Sequence, residues 1–307
     1  MKLTILGSSS ALPTSGRYPS AHVLSAHERL FLIDCGEGTQ MQLRKTRIRF
    51  AKINHIFISH LHGDHVFGLY GLLSTFSLMG RTNPIHLYAP VNYDKILKSH
   101  LNDFDINLSF EIDFIPLSGN DPVKILDDKY LTVTSFPLQH RVPSYGFLFR
   151  EKISERNIIK ACIDKYQIPR VRIPAIKKGE DFITSDGTLV KNEDLTLPPP
   201  EPLSYAYCSD TKYFRRLASF VNGVSLLYHE ATFDKSKEDL AELTGHSTTV
   251  DAAKTALKAK VGALIIGHFS ARYKDIEPLV DEARALFPET YAAIDGRSYE
   301  LGEMTIP

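Results

Sequence analysis

The stretch Ser59-His60-Leu61-His62-Gly63-Asp64-His65 gathers three histidines and an aspartate within six positions. Imidazole and carboxylate donors at this density, with no thiolate among them, suit Zn²⁺ or a similar divalent cation in a site that keeps open positions, as catalytic metal sites do. The apolar run His55-Ile56-Phe57-Ile58 precedes them. The motif therefore reads as a strand end, with His60 and His62 on one side of an extended turn and Asp64 and His65 opening the next helix. These residues alone fill only part of two coordination shells. Further donors stand where other apolar runs end: His140 beyond 131–136, Asp210 in Tyr207-Cys208-Ser209-Asp210-Thr211, and His268 in Ile265-Ile266-Gly267-His268. With them, five histidines and two aspartates complete two shells.

Such a site needs many strand ends brought to one place, and the pattern supplies them. Short apolar or β-branched runs recur at 2–6, 21–25, 30–34, 54–58, 85–89, 131–136, 145–149, 204–208, 224–228 and 262–267, several bounded by Gly, Pro or Asp. Helical patterns lie between them at Thr39 to Lys45, His65 to Met79, Thr248 to Ala259 and Ile276 to Phe287, with Ser247 and Thr248 as caps for the third. Strands interleaved with helices indicate an α/β or α+β fold. From about Arg150 to Leu203 the rhythm breaks: Ile168-Pro169, Ile173-Pro174, Gly179, Gly187 and Pro198-Pro199-Pro200 alternate with charged residues. That segment reads as an insertion projecting from a single domain that spans 1–307.

Composition excludes several classes. A chain of 307 residues with 43% hydrophobic content buries one large core and is neither disordered nor collagenous. No run approaches the roughly 20 apolar residues of a membrane span. Cys35, Cys162 and Cys208 are scattered without CxxC spacing, which argues against disulfides and for a reducing cytosol. Lys plus Arg equal Asp plus Glu at 36 each, so no global positive field announces a nucleic-acid partner. Two local basic clusters remain, Arg44, Lys45, Arg47, Arg49 and Lys52, then Lys165, Arg170, Arg172, Lys177 and Lys178.

HxHxDH followed by separated His, Asp and His resembles the metallo-β-lactamase superfamily. The resemblance covers nearly the whole chain and implies a four-layer αβ/βα sandwich with a two-metal site at one edge. It assigns His60, His62 and His140 to one zinc, Asp64, His65 and His268 to the other, and Asp210 to both. Two such ions, roughly 3.5 to 4 Å apart, activate water and clamp the oxygens of a phosphoryl centre. Four further blocks narrow the resemblance to the ribonuclease Z family: Asp34-Cys35-Gly36-Glu37-Gly38-Thr39-Gln40, His229-Glu230-Ala231-Thr232-Phe233, Gly245-His246-Ser247-Thr248 and His268-Phe269-Ser270-Ala271-Arg272-Tyr273.

That resemblance implies a zinc enzyme with two ions per chain, manganese being a possible substitute, that trims 3′ trailers from precursor tRNA in the cytoplasm as a homodimer, with no membrane partner. Asp64 would assist as a base as well as a ligand. His246, outside both shells, would protonate the leaving 3′-oxygen with Glu230 orienting it. Asp34 would hold a ligand histidine in its tautomer. Ser270 and Arg272 would bind a neighbouring phosphate. Segment 150–203 corresponds to the family's tRNA-binding arm, with Arg170, Arg172, Lys177 and Lys178 as phosphate contacts. Pro13 and Arg17 match a family loop that bears on the cleavage junction, but Ser15 and Tyr18 stand where its Lys and Asn would be. Two rivals follow from the same residues: a small-molecule phosphodiesterase on the same fold, and a catalytically silent RNA-binding scaffold.

Overall fold

Two seven-stranded sheets build the larger unit of the chain in this computed structural model, which describes residues 1–302. That unit comprises Met1–Asp127, Thr132–Arg150 and the chain from Leu203 onward. The first sheet runs in the order Ser298–Glu300, Lys2–Gly7, Ala21–Ala26, Arg29–Ile33, Ile53–Phe57, Ile85–Pro90, Ile112–Leu117. Its first four strands pair antiparallel, and the remaining three continue parallel to Arg29–Ile33. The second runs Thr290–Ala292, Ala263–Gly267, Leu226–Glu230, Ser204–Cys208, Ser144–Glu151, Leu131–Leu138, Val123–Asp127. Its first four strands are parallel.

Central strands are covered on both faces, which is why their apolar residues run consecutively, as in Ala263–Gly267, rather than alternating. Every residue of Leu226–Glu230 and Ala263–Gly267 is buried. Between the sheets, Phe31 and Phe57 of the first meet Phe147 and Phe149 of the second, with ring centroids 5.3 to 5.6 Å apart. On the outer face of the first sheet, helix Gly63–Leu78 buries Leu69, Leu72, Leu73 and Phe76, the spacing of one helical stripe. Each such side chain contributes roughly 1.5–3 kcal/mol by leaving water. On the outer face of the second, helix Thr249–Ala259 packs through Ala252, Ala253, Ala256 and Ala259. Its N-terminus is fixed by a reciprocal capping box between Thr248 and Asp251. The result is helix, sheet, sheet, helix: the four-layer metallo-β-lactamase sandwich.

Several elements escape the pattern reading. Strands Ile112–Leu117 and Val123–Asp127 are edge strands, half exposed and interrupted by charge, so they lack the continuous apolar run of a central strand. Helix Tyr93–Asp103 buries only Tyr93 and Leu97.

The second unit comprises Asp128–Leu131 and Glu151–Pro202. It has two small antiparallel pairings, Asn157–Ile158 with Thr196–Leu197 and Phe182–Ile183 with Leu189–Val190. Ile168, Ile176, Phe182, Val190 and Leu195 form its core. The Asn192 amide ties it internally, donating to Ile176 O at 2.7 Å and Glu180 O at 2.8 Å. A segment whose sequence lacks sustained periodicity thus still owns a core, assembled from single apolar residues spaced by turns.

Candidate active site

Functional side chains of the larger unit sit at or just beyond the carboxyl ends of strands from both sheets, where ligands bind in open α/β sheets. Asp34 follows Arg29–Ile33, His60 follows Ile53–Phe57, Asp210 follows Ser204–Cys208, Glu230 ends Leu226–Glu230, and His268 follows Ala263–Gly267. Asp34 and His268 both hold left-handed backbone, φ 55° and 61°. For non-glycine residues this costs of order 1–3 kcal/mol, tolerated where the surroundings over-determine the turn. The "DCGEG" turn locks onto the metal motif directly: Cys35 N donates to His65 O at 2.8 Å, and Gly68 N to Cys35 O at 2.9 Å. A Cβ on Gly36 would lie 2.4 Å from Asp64 O, so only glycine permits this approach.

Two groups of donors converge. His60 Nε2 lies 3.1 Å from His62 Nδ1, which lies 3.2 Å from His140 Nε2; Asp210 Oδ2 is 3.6 Å from the first ring and 3.8 Å from the third. On the other side, Asp64 Oδ2, His65 Nε2, His268 Nε2 and Asp210 Oδ1 stand 3.3 to 3.4 Å apart along five of their six edges. A tetrahedron with metal–ligand bonds of about 2.0–2.1 Å has edges of about 3.3 Å. The donor set therefore fits a divalent cation in each group, with Asp210 turning one oxygen to each. Asp210 Oδ1 is buried without a hydrogen-bond donor, which fits an oxygen meant for a cation.

Hydrogen bonds behind the rings fix which nitrogen faces inward. His65 Nδ1 donates to Asp34 Oδ2 at 2.7 Å, and His140 Nδ1 to Gly245 O at 2.6 Å. Ser59 spends its one hydroxyl proton on Asp34, so the 3.1 Å contact with His60 requires His60 Nδ1 as donor. Thr232 likewise gives its proton to Glu230, so His268 Nδ1 donates to Thr232 Oγ1 at 2.8 Å. All four rings then present a bare Nε2 to the centre. Burial lowers the pKa of His60, His62 and His140 and so favours the neutral, ligating form. At His65 burial also opposes charge, but Asp64, Asp210 and Asp34 outweigh it and raise the pKa, an excess of negative charge that a divalent cation neutralises.

His246 stands apart from this inward set. Its Nδ1 lies 3.0 Å from Glu230 Oε1 and 3.8 Å from Asp210 Oδ2, so its bond is to the glutamate. Glu230 is fully buried and takes four further donors: Thr211 N, Ser247 N, Thr232 N and Thr232 Oγ1, at 2.8 to 3.1 Å. Burial opposes its charge, yet His246, through charge and hydrogen bond, together with His268 keeps its pKa below the ordinary value. Burial also opposes charge on His246, but the carboxylates of Glu230 and Asp210 prevail and raise it to about 9. The ring borders a cavity of about 400 Å³ whose lining includes His62, Asp64, Asp210, His268 and Ser270.

Other expected residues fall in different places. Ser270 lines this cavity, and Arg272 Nε donates to Ser270 Oγ at 3.0 Å while its guanidinium lies over Phe233. Arg17 is committed elsewhere: Nη2 donates to Tyr273 O at 2.8 Å and Ser270 O at 3.3 Å, making it a clamp on that loop rather than an open phosphate contact. Arg170, Arg172, Lys177 and Lys178 belong to the smaller unit, where Arg172 pairs with Glu180 and Lys177 with Glu155 at 3.4 Å each. Sequence reasoning assigned no role to Ser59, Thr232 or Gly245. Their signal was present, since each lies inside a quoted block, but a hydroxyl or carbonyl behind a ring has no spacing rule.

Fold and site together define a metallo-β-lactamase-fold hydrolase with a His/Asp donor cluster suited to divalent metal. Residues 1–169 match a family model described as Anti-Pycsar protein Apyc1. That match stops short of Asp210, Glu230, His246 and His268. Matches to curated relatives span nearly everything: ribonuclease Z of Bacteroides thetaiotaomicron is 44% identical over 99% of this chain and 96% of its own length, and that of Bacteroides fragilis is 46% identical over 95% and 96%. The crystal structure of the short form of human tRNase Z aligns with TM-score 0.73 and 27% identity, covering 98% of this chain and 99% of that one. The metallo-β-lactamase fold protein YhfI of Bacillus subtilis, at TM-score 0.69 and 17% identity, shares the fold over 97% of this chain and 98% of its own. The chain belongs to the ribonuclease Z family.

Replacing Glu230 by Gln removes the negative charge that most favours the imidazolium of His246. An NMR titration of the metal-free protein should then show the His246 pKa falling from about 9 towards or below 6.5. A value unchanged in Glu230→Gln would show that the glutamate does not hold that proton.

Proposed function

We propose that this chain is a zinc-dependent endoribonuclease that removes the 3′ trailer from precursor tRNA, leaving a 3′-hydroxyl on the tRNA and a 5′-phosphate on the trailer. The observation that carries this reading is the Glu230–His246 pair beside seven converging donors, in a chain whose full-length relatives are named ribonuclease Z. His60, His62 and His140 would hold one zinc, Asp64, His65 and His268 the other, and Asp210 both; manganese would fit the same donors. The two ions would supply Lewis acidity at the phosphoryl oxygens and lower the pKa of water towards about 7.

The chain's own groups account for the protons. Asp64, at the cavity wall, takes one from the attacking water as its oxygen joins phosphorus. The bond from phosphorus to the 3′-oxygen then breaks, and that oxygen takes a proton from His246. With Nδ1 bonded to Glu230, His246 acts through Nε2, and the Glu230 carboxylate favours its protonated form. Ser270 and Arg272 are suited to a flanking phosphate from the cavity rim.

Segment 150–203, which supplies most of the smaller unit, is proposed as the arm that grips tRNA. Arg170 and Lys178 are exposed, and its basic residues suit sequence-independent phosphate contacts. We further propose a homodimer. Support comes from Phe67 and Ile96 on helices Gly63–Leu78 and Tyr93–Asp103 and from Phe104, which directly follows the second helix; they are 65%, 45% and 68% exposed. No helix among the described residues is long and apolar enough to cross a membrane. Free cysteines at 35, 162 and 208 are consistent with a cytoplasmic setting.

The deciding experiment maps cleavage of a labelled precursor tRNA with and without chelator. A single chelator-sensitive cut beside the discriminator, with a 3′-hydroxyl on the tRNA, is expected. Hydrolysis of bis-p-nitrophenyl phosphate without any RNA cut would move the reading to a small-molecule phosphodiesterase, and RNA binding without either activity to a scaffold. In the same assay His246→Ala should retain metal and RNA binding while turnover falls by roughly 10²–10⁴; loss of metal with activity would refute the proton-donor role. Neutralising Arg170, Arg172, Lys177 and Lys178 together should weaken tRNA binding and reduce its log–log salt slope by roughly one per lost contact. Hydrolysis of the small diester should be untouched; if it falls equally, the arm is structural.

A further inference from the structure

Asp34 is wholly buried, and four hydrogen bonds converge on it. Ser59 N donates to Oδ1 at 2.7 Å. Ser59 Oγ at 2.8 Å, His65 Nδ1 at 2.7 Å and the Tyr207 hydroxyl at 2.6 Å all donate to Oδ2. The first three donors follow the strand Ile53–Phe57 of the first sheet. Tyr207 comes from Ser204–Cys208 of the second, three residues before Asp210. A parallel tie runs beside it, for Ser209 Oγ lies 2.9 Å from Ser59 Oγ, which also meets His60 Nδ1.

We propose that Tyr207 is a positioning residue for the metal centre: its hydroxyl sets the Asp34 carboxylate, and through it the His65 ring, in register with Asp210 on the opposite sheet.

Three features separate this from ordinary packing. The ring cannot swing, since it stacks on Tyr228 at 5.0 Å and 10° and takes the edge of His22 at 5.0 Å and 82°. The hydroxyl therefore reaches Oδ2 from a fixed point. Burial and the Asp34 charge push the Tyr207 pKa well above its ordinary value, so the proton stays on oxygen and the group serves as a donor. Finally, Asp34 leaves its strand in left-handed backbone, φ 55°, which leaves side-chain contacts to define where the carboxylate points. Without the tyrosine hydroxyl, every remaining donor to Asp34 comes from the sheet that carries His60 and His65. Ser59 would still be tied to the second sheet, by Ser209 Oγ and by Tyr145 N, which donates to Ser59 O at 3.0 Å, but the Asp34 carboxylate that orients His65 would not.

The inference rests on the metal reading of the site, and Tyr207→Phe tests it by removing one oxygen while keeping the ring. Zinc affinity, measured by competition with a chromogenic chelator, should fall about tenfold relative to wild type, within the range for groups that orient ligands from behind. The kcat on precursor tRNA should fall while KM holds, and the melting temperature of the metal-free protein should move little. Equal zinc affinity in variant and wild type would overturn the inference, as would a loss of metal-free stability with affinity intact, the mark of packing alone. A wild type that binds no zinc would instead overturn the metal reading beneath it. Should the variant fail to accumulate, protein with selectively labelled tyrosine provides a second measurement. A slowly exchanging Tyr207 hydroxyl resonance should shift when chelator removes zinc, and an unmoved resonance would refute the coupling.

Discussion

Asp210 divides its carboxylate between two sets of histidines, and the remainder of the larger unit can be understood as the means of holding that division. One oxygen lies 3.6 and 3.8 Å from His60 and His140, the other 3.3 Å from His65 and His268. Those four histidines lie on the connections that follow strands of both sheets, His65 in the first turn of helix Gly63–Leu78, so the geometry exists only if the sheets meet at a fixed angle and register. The aromatic layer of Phe31, Phe57, Phe147 and Phe149 supplies the contact area for that meeting but is tolerant in direction. Direction comes from the polar ties at the rim.

Burying carboxylates is expensive unless each is fully paired. Asp34 answers with four hydrogen bonds and Glu230 with five. Asp210 is different: one of its oxygens has no donor. The fold thus satisfies the two carboxylates that orient other groups and withholds satisfaction from the one that faces the donor sets. Stability is sacrificed locally where a cation would restore it. The same logic distinguishes His246, whose inner nitrogen is already engaged by Glu230, from the four rings that present a bare nitrogen inward.

Legibility in the sequence followed locality. His60, His62, Asp64 and His65 could be read because their spacing is confined to one turn and the start of one helix. His140, Asp210 and His268 could be placed because each follows an apolar run, a local cue to a strand end. Gly245 could not be given its role, since the carbonyl that orients His140 is a backbone group 105 residues away. Tyr207 was quoted only as a neighbour of Asp210; its partner is 173 residues distant on the other sheet. Arg17 belongs to the RNA-contacting set only through the resemblance of its loop to one that bears on the cleavage junction, whereas in the fold two backbone carbonyls take its guanidinium. Edge strands went unseen because partial exposure removes the apolar continuity that marks a central strand.

Two of the diagnostic blocks acquire physical reasons that residue type alone does not give. In "DCGEG", the aspartate orients His65 while Gly36 lets the turn close against Asp64 O, so one short loop fixes both the ring and the first turn of the helix that carries the metal motif. In "GHST", Gly245 ends a helix in left-handed backbone, offers its carbonyl to His140, and leaves no room for a Cβ, which would stand 2.9 Å from the His140 Nδ1 it binds. The next residue is His246. A single turn therefore serves a ligand of one donor group through its carbonyl and the Glu230-bound histidine through its side chain, so a shift that disturbed one would disturb the other. That coupling explains why these residues must be contiguous rather than merely present.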